Sequence, residues 1–185
     1  MSPRKTSRLT VEHVLLYLIG QKPMHGYELY QALCAMEGIS LVWNIKQAML
    51  YAILEKLEAR GDLRSEVQDE AYPPRKIFHL TDFGKSSLQN WLASPVRRAR
   101  DFRQEFLAKL IIARRYGKQQ ALDLIRTQEQ ACETWRQELN AAPHPPQEEN
   151  FDTWLVYSYR IQRLEMIMEW LKKCREEVIR ALPST

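Results

Sequence analysis

The chain has 185 residues, 45% of them hydrophobic and 27% charged, with a formal net charge of +4 and a sequence pI of about 9.0. That composition is too apolar for a disordered polypeptide, allows one domain or two small ones, and is only mildly basic. No run approaches the roughly 18 consecutive apolar residues of a membrane span, and the start Met1-Ser2-Pro3-Arg4-Lys5 lacks the apolar stretch of a signal peptide, so a cytoplasmic protein is expected.

Thr10 is placed to cap a first helix whose apolar face is Val11, Val14, Leu15, Leu18 and Ile19, with Gly20 and Pro23 ending it. A second helix starts near His25-Gly26 and is stopped by Gly38. A third runs from about Ile45 to Arg60, with Leu50, Ile53, Leu54 and Leu57 as its inward stripe and Gly61 as its stop. Leu63–Val67 and Lys76–Leu80 then alternate like strands. Tyr72-Pro73-Pro74 makes their connector stiff, so the pair reads as a two-stranded hairpin with a long tip. A helix from Thr81 or Asp82 through Leu92 follows.

The chain divides near Ser94-Pro95, and the rest reads as long helices. One covers about Phe102 to Tyr116; a second, after Gly117, carries Leu122, Ile125, Cys132, Trp135 and Leu139. The proline-rich stretch from Ala141 to Asn150 is a loop, and the last helix starts near Asp152. There Leu164, Ile167, Leu171, Cys174 and Val178 recur every three to four residues, as in a short coiled-coil seam, and are expected to build a homodimer.

Three helices followed by a hairpin is the order of a winged helix-turn-helix, which lays its recognition helix in the major groove and its wing on the backbone. The fold expected is mostly α. Residues 1–93 form a winged helix-turn-helix domain with a two-stranded β-hairpin wing, and residues 96–182 form a helical dimerisation domain. The third helix offers Asn44, Lys46, Gln47 and Tyr51 at its outer, N-terminal end. Asn and Gln are side chains that read adenine edges, and Lys reaches guanine or phosphate.

Three motifs carry a resemblance to a known family. His25-Gly26-Tyr27-Glu28-Leu29, Leu50-Tyr51-x-x-Leu54-x-x-Leu57-Glu58-x-x-Gly61 and Pro74-Arg75-Lys76-Ile77-Phe78-His79-Leu80-Thr81-x-x-Gly84 stand in the order and spacing of the PadR family of transcriptional regulators. The resemblance covers roughly Leu9 to Leu92. It implies a repressor that binds double-stranded DNA, dimerises through C-terminal helices and, like many members, answers to a small aromatic effector. By position it implies that Tyr51 touches the DNA backbone and that Arg75 and Lys76 form a basic wing. The chain departs from the family in Ala48-Met49 before Leu50-Tyr51, in Ala52 after it, and in the acidic wing tip of Asp69 and Glu70.

Plainer readings stand beside these. Tyr51 could pack on a neighbouring helix, Arg75 and Lys76 could end a solvated strand, and His25 could cap its helix. The basic run Arg97, Arg98, Arg100 and Arg103, like Arg4, Lys5 and Arg8, is either solvated surface or a DNA flank. Trp43, Trp91, Trp135, Trp154 and Trp170, with Tyr157 and Tyr159, are either packing or the lining of an effector pocket. The three cysteines Cys34, Cys132 and Cys174 suit no disulfide framework or zinc site and read as free thiols. The four histidines His13, His25, His79 and His144 form no triad or metal motif, and no phosphate-binding loop occurs. Catalytic residues, cofactor and metal are therefore not expected. The alternative is a dimeric interaction protein whose winged module binds a protein partner instead of DNA.

Overall fold

The computed structural model describes residues 10–43, 45–68, 75–142 and 150–181. Arg4, Lys5, Arg8, Asn44, the wing tip with Asp69 and Glu70, and the prolines of the second loop lie outside them. The chain forms two compact units. The first holds the residues up to Leu92 together with Arg103–Ile112; the second holds Ala93–Phe102 and the residues from Ala113 onward.

In the first unit, helix α1 (Thr10–Gln21) is the centre. Every residue from Val11 to Ile19 is buried, including Glu12 and His13, so the helix is enclosed on all sides and not on one face alone. Around it lie β1 (Met24–His25), α2 (Gly26–Ala35), α3 (Ile39–Val42), α4 (Gln47–Ala59), β2 (Leu63–Gln68), β3 (Arg75–Leu80) and α5 (Asp82–Ala93). The expected stripe of α4 is present: Leu50, Ile53, Leu54 and Leu57 are all buried.

The winged helix is the expected one, but its sheet has three strands and not two. Their order is β1-β3-β2, all antiparallel, with Met24 opposite Phe78 on one side and Leu63 opposite Leu80 on the other. Pro23 ends α1 and leaves Met24-His25 extended, and burial of Met24 holds that pair against β3. A strand of two residues and a helix of four, α3, have no period for a pattern to reveal.

The turn after α4 is a Schellman cap. Gly61 takes φ +79°, its N–H bonds Glu58 O at 2.9 Å, and Asp62 N bonds Leu57 O at 2.9 Å. The next corner is built on Asp62. Its carbonyl accepts from Thr81 N at 3.2 Å and from Thr81 Oγ1 at 3.0 Å, while Thr81 Oγ1 accepts from Gly84 N at the start of α5. Gly84 has no room for a side chain, since a Cβ there would lie 2.1 Å from Asp62 O.

A buried ion network joins these pieces. Glu12 of α1 is fully buried; Lys56 Nζ donates to its Oε1 at 2.7 Å and Arg60 Nη2 to its Oε2 at 2.8 Å. Arg60 Nε also donates to Asp62 Oδ2 at 3.0 Å. Elsewhere in this unit Lys109, also fully buried, pairs with Glu105 at 3.0 Å and lies 5.2 Å from the centre of the Trp91 ring, which stacks on His13. Trp91 is thus packing.

In the second unit, a 3₁₀ turn (Ala99–Asp101) leads into α6 (Phe102–Tyr116), whose last residues belong here; α7 (Lys118–Ala141) and α8 (Phe151–Ala181) follow. α7 and α8 run antiparallel. Lys118 at the start of α7 donates to the carbonyl of Ile179 at 2.8 Å, and Arg175 pairs with Glu129 at 3.1 Å. Buried Gln128 accepts from Val96 N at 2.7 Å and so fixes the segment before the 3₁₀ turn. The cysteines are free thiols, and burial raises those of Cys132 and Cys174, the latter to about 11.

Burial alone would raise the Glu12 carboxyl, but the hydrogen bonds from Lys56 and Arg60 outweigh it and hold the group below the ordinary 4.5. Glu12→Gln keeps the volume and removes the charge. Because Lys56 and Arg60 stay partly solvated, the expected loss at neutral pH is about 2 kcal/mol, short of that for a fully enclosed pair. A group with a depressed folded pKa contributes stability above its unfolded value and loses it as pH falls through the folded one. Urea denaturation of the two proteins should therefore converge as pH is lowered below about 4.5. A gap that stays constant down to about pH 3 would show that the Glu12 charge does not carry the stability.

Candidate nucleic-acid interface

The outer surface of α4 is where sequence placed the reading side chains. Lys46 precedes the helix in extended conformation, and its carbonyl accepts from Met49 N at 3.0 Å and Leu50 N at 3.2 Å. Its own side chain, and that of Gln47, are exposed. The first N–H groups of α4 receive no side-chain cap, which leaves its positive end open to an anion. Asn44 lies outside the described residues.

Beside them is a groove of about 590 Å³ between the start of α2, α4 and β3. It brings together Tyr51, Arg75 and Lys76 with His25, Gly26 and Tyr27. Lys46 and Gln47 do not line it. Tyr51 is 40% exposed, with its ring laid over Gly26, where a Cβ would meet Tyr51 Cε1 at 2.5 Å. Gly26 is therefore a seat for that ring. His25 is a positioning residue: its N–H donates to Glu28 Oε2 at 3.0 Å and its Nδ1 lies 3.1 Å from Lys76 O, tying the start of α2 to the wing strand.

The two wing cations differ. Lys76 Nζ is 3.4 Å from Glu58 Oε2, and Glu58 also accepts from the Ser65 hydroxyl. That bond, with Lys76 beside it, holds the Glu58 carboxyl below its usual 4.5. Arg75 has no ion-pair partner among the described residues and is exposed. Sequence reasoning did not single out Glu58 as a tether for Lys76, nor Tyr27, which is 57% exposed on the groove wall. Glu58 was legible only as the Leu57-Glu58 step of a motif, because its partners come from the following hairpin.

The seam residues of α8 are placed elsewhere. Leu164, Ile167, Leu171 and Val178 are buried within the second unit and Cys174 is half-buried, along the side that meets α7. The period expected is there, but what it packs against is the chain's own α7. The exposed apolar residues of α8 are Phe151, Leu155, Val156, Tyr159, Met166 and Ile179.

Residues 15–90 match the family model described as the transcriptional regulator PadR-like family. The chain belongs to that family. It is 24% identical over 173 residues to the negative transcriptional regulator PadR of Bacillus subtilis (strain 168), an alignment that takes in 88% of this chain and 93% of that one. Among solved structures it is similar to Bacillus subtilis PadR in complex with operator DNA, with 21% identity, 92% of this chain and 99% of that one covered, and a TM-score of 0.45. It is also similar to smu.1704 of Streptococcus mutans UA159, with 34% identity over 43% of this chain and 70% of that one, and a TM-score of 0.36. Among the described residues no helix is long and apolar enough to cross a membrane.

The seat under Tyr51 gives a test. Helix propensity alone favours alanine over glycine by about 0.5–1 kcal/mol, so a neutral site would gain from Gly26→Ala. The overlap with the ring should reverse the sign, to a net loss of about 1 kcal/mol, and turn Tyr51 outward. Denaturant melts and the rate of nitration at Tyr51, followed by mass spectrometry, would check this. A more stable variant with unchanged nitration would mean that the ring does not depend on Gly26.

Proposed function

We propose that the chain is a repressor that binds double-stranded DNA as a homodimer, acting in the cytoplasm. In this reading the first unit reads DNA and the second pairs the copies. The observation that carries it is the set of exposed donors around α4: Lys46 and Gln47 at its open N-terminal end, with Tyr51 and Arg75 on the rim of the adjoining groove. Base-reading side chains beside phosphate-reading ones are what a major-groove helix with a wing requires. The Bacillus subtilis relative, which aligns over most of both chains, is a negative transcriptional regulator.

The groove's own carboxylates refine where a phosphate would sit. Glu28 is taken up by the His25 N–H and Glu58 by Ser65 and Lys76, while Glu55, exposed on the same lining, repels an anion from the floor. Phosphate is thus drawn to the rim, to Arg75 and the Tyr51 hydroxyl, and not to the floor. A protein partner would more naturally exploit an apolar groove; a rim guanidinium without an ion pair among the described residues favours DNA. These are binding groups and not a catalytic set, so we assign the chain no reaction.

Pairing is assigned to the apolar residues of α8 that the chain leaves uncovered. Leu155, Tyr159 and Met166 share the side of the helix opposite the buried seam, at four- and seven-residue spacing. Two copies joined there would present their α4 helices to half-sites roughly 34 Å, one DNA turn, apart. Leu155→Glu with Met166→Glu should give a folded monomer in sedimentation, with operator affinity reduced at least tenfold. A double variant that still sediments as a dimer would move the interface off this face. We also carry effector release into this reading: Bacillus subtilis PadR has been solved in complex with p-coumaric acid.

Wing contacts are read by salt. Arg75→Ala should weaken binding to all sequences and flatten the slope of log affinity against log salt by about one unit. Lys76→Ala should change the slope by less, because Lys76 is shared with Glu58. An unaltered slope in Arg75→Ala would remove Arg75 from the phosphate contacts.

A further inference from the structure

Towards the N-terminus of α8 the apolar seam stops. Followed back from Val178, its inward positions are Leu171, Ile167 and Leu164, and the same side continues into Arg160 and Tyr157. A seam that only held the unit together would carry leucine there. Instead the second unit holds an open cavity of about 460 Å³. Arg97, Arg98 and Arg100 reach it from the segment before α6, and Arg160 and Arg163 from α8. Trp135 and Tyr157 are its aromatic walls, Leu139 and Leu164 its apolar floor.

Among the described residues, five guanidiniums thus face one lining carboxylate, that of Glu138. Arginine stays protonated at any working pH, so this charge cannot be relieved by titration. Arg100 lies 3.8 Å from Asp101. Among the described residues, no carboxylate lies within ion-pair distance of Arg97, Arg98, Arg160 or Arg163. Arg163 Nε is shut off from solvent without a hydrogen-bond partner, an arrangement that costs stability until an acceptor arrives. The Arg160 guanidinium stands 5.6 Å from the centre of the Tyr157 ring.

We propose that this cavity binds a small polyanion carrying a flat aromatic ring, an aryl phosphate or an aromatic polycarboxylate. Its volume is in the range of small-molecule sites. The ring lies against Trp135 and Tyr157, and the anionic groups take bidentate bonds from the guanidiniums. A monocarboxylate would answer only one of five cations, which is why the charge points to a polyanion. A DNA backbone would answer the charge as well, but it is convex and has no use for an indole wall and a leucine floor. The proposal deepens the effector part of the regulatory reading and rests on it only for the consequence, not for the binding.

Isothermal titration calorimetry of the full chain, without DNA, tests it with four probes: 1-naphthyl phosphate, naphthalene-1,4-dicarboxylate, inorganic phosphate and 1-naphthol. At least one of the two aryl polyanions should bind in the micromolar range, and whichever is tighter names the anionic group. Inorganic phosphate and 1-naphthol should each bind at least tenfold more weakly. Arg160→Gln and Arg163→Gln should each weaken the aryl polyanion at least tenfold; if either fails to fold by circular dichroism, Arg98→Gln takes its place. Millimolar or absent binding of both aryl polyanions overturns the proposal, as does tight binding that the glutamine variants leave unchanged. Loss of DNA affinity in those variants, with no small probe bound, overturns it in favour of a DNA flank. Binding without release of DNA upholds the site and tells against effector control.

Discussion

The buried carboxylate of Glu12 is the fixed point of the first unit. It sits inside the central helix α1 and is reached by both cations of the last turns of α4, Lys56 and Arg60. A charge so enclosed is tolerated only if it is paired and hydrogen-bonded, so α4 can hold one rotation and one depth relative to α1. Arg60 then passes the constraint on. Its Nε fixes Asp62, whose carbonyl holds Thr81 and whose backbone leaves Gly84 no room for a side chain. The recognition helix, the root of the wing and the helix that leaves it are thus positioned from one corner. Whatever the exposed end of α4 touches, its aim is set at the other end of the same helix.

Most of that architecture was legible because it is periodic. The Leu50, Ile53, Leu54 and Leu57 stripe and the glycine stop at Gly61 mark α4 to within two residues at either end. The alternation from Lys76 to Leu80 marks a strand that begins one residue earlier, at Arg75. What could not be read has one cause in common. β1 and α3 are too short to have a period and exist because Met24 and Ile39 are buried against distant residues. Glu12 stands in the first turn of α1, but its partners are 44 and 48 residues away.

The candidate interface divides in the same way. Side-chain types at the start of α4 and at the wing could be named from spacing, and the structure places Tyr51, Arg75 and Lys76 around one groove. Spacing could not tell Arg75 from Lys76, since the difference lies in a carboxylate from another element, Glu58. The α8 seam shows another limit of spacing. A stripe of Leu164, Ile167, Leu171 and Val178 announces that something covers it, and a helix pattern is the same whether the cover is a second copy or α7. Only the burial of those residues within one chain decides.

Cations serve two purposes in this chain, and the distinction bears on what each group of them is for. In the first unit Lys56, Arg60, Lys76 and Lys109 are paired with carboxylates, while Lys46 at the start of α4 and Arg75 at the wing have no ion pair among the described residues. The paired cations fix geometry, and the open ones at α4 and the wing are left for phosphate or base contacts. In the second, four arginines converge on one concavity without an ion pair among the described residues. Most of these guanidiniums are exposed, so water screens their mutual repulsion, but they remain available to an incoming anion. Beside Trp135 and Tyr157, the cluster gains a physical use when a ligand supplies negative charge together with an aromatic ring.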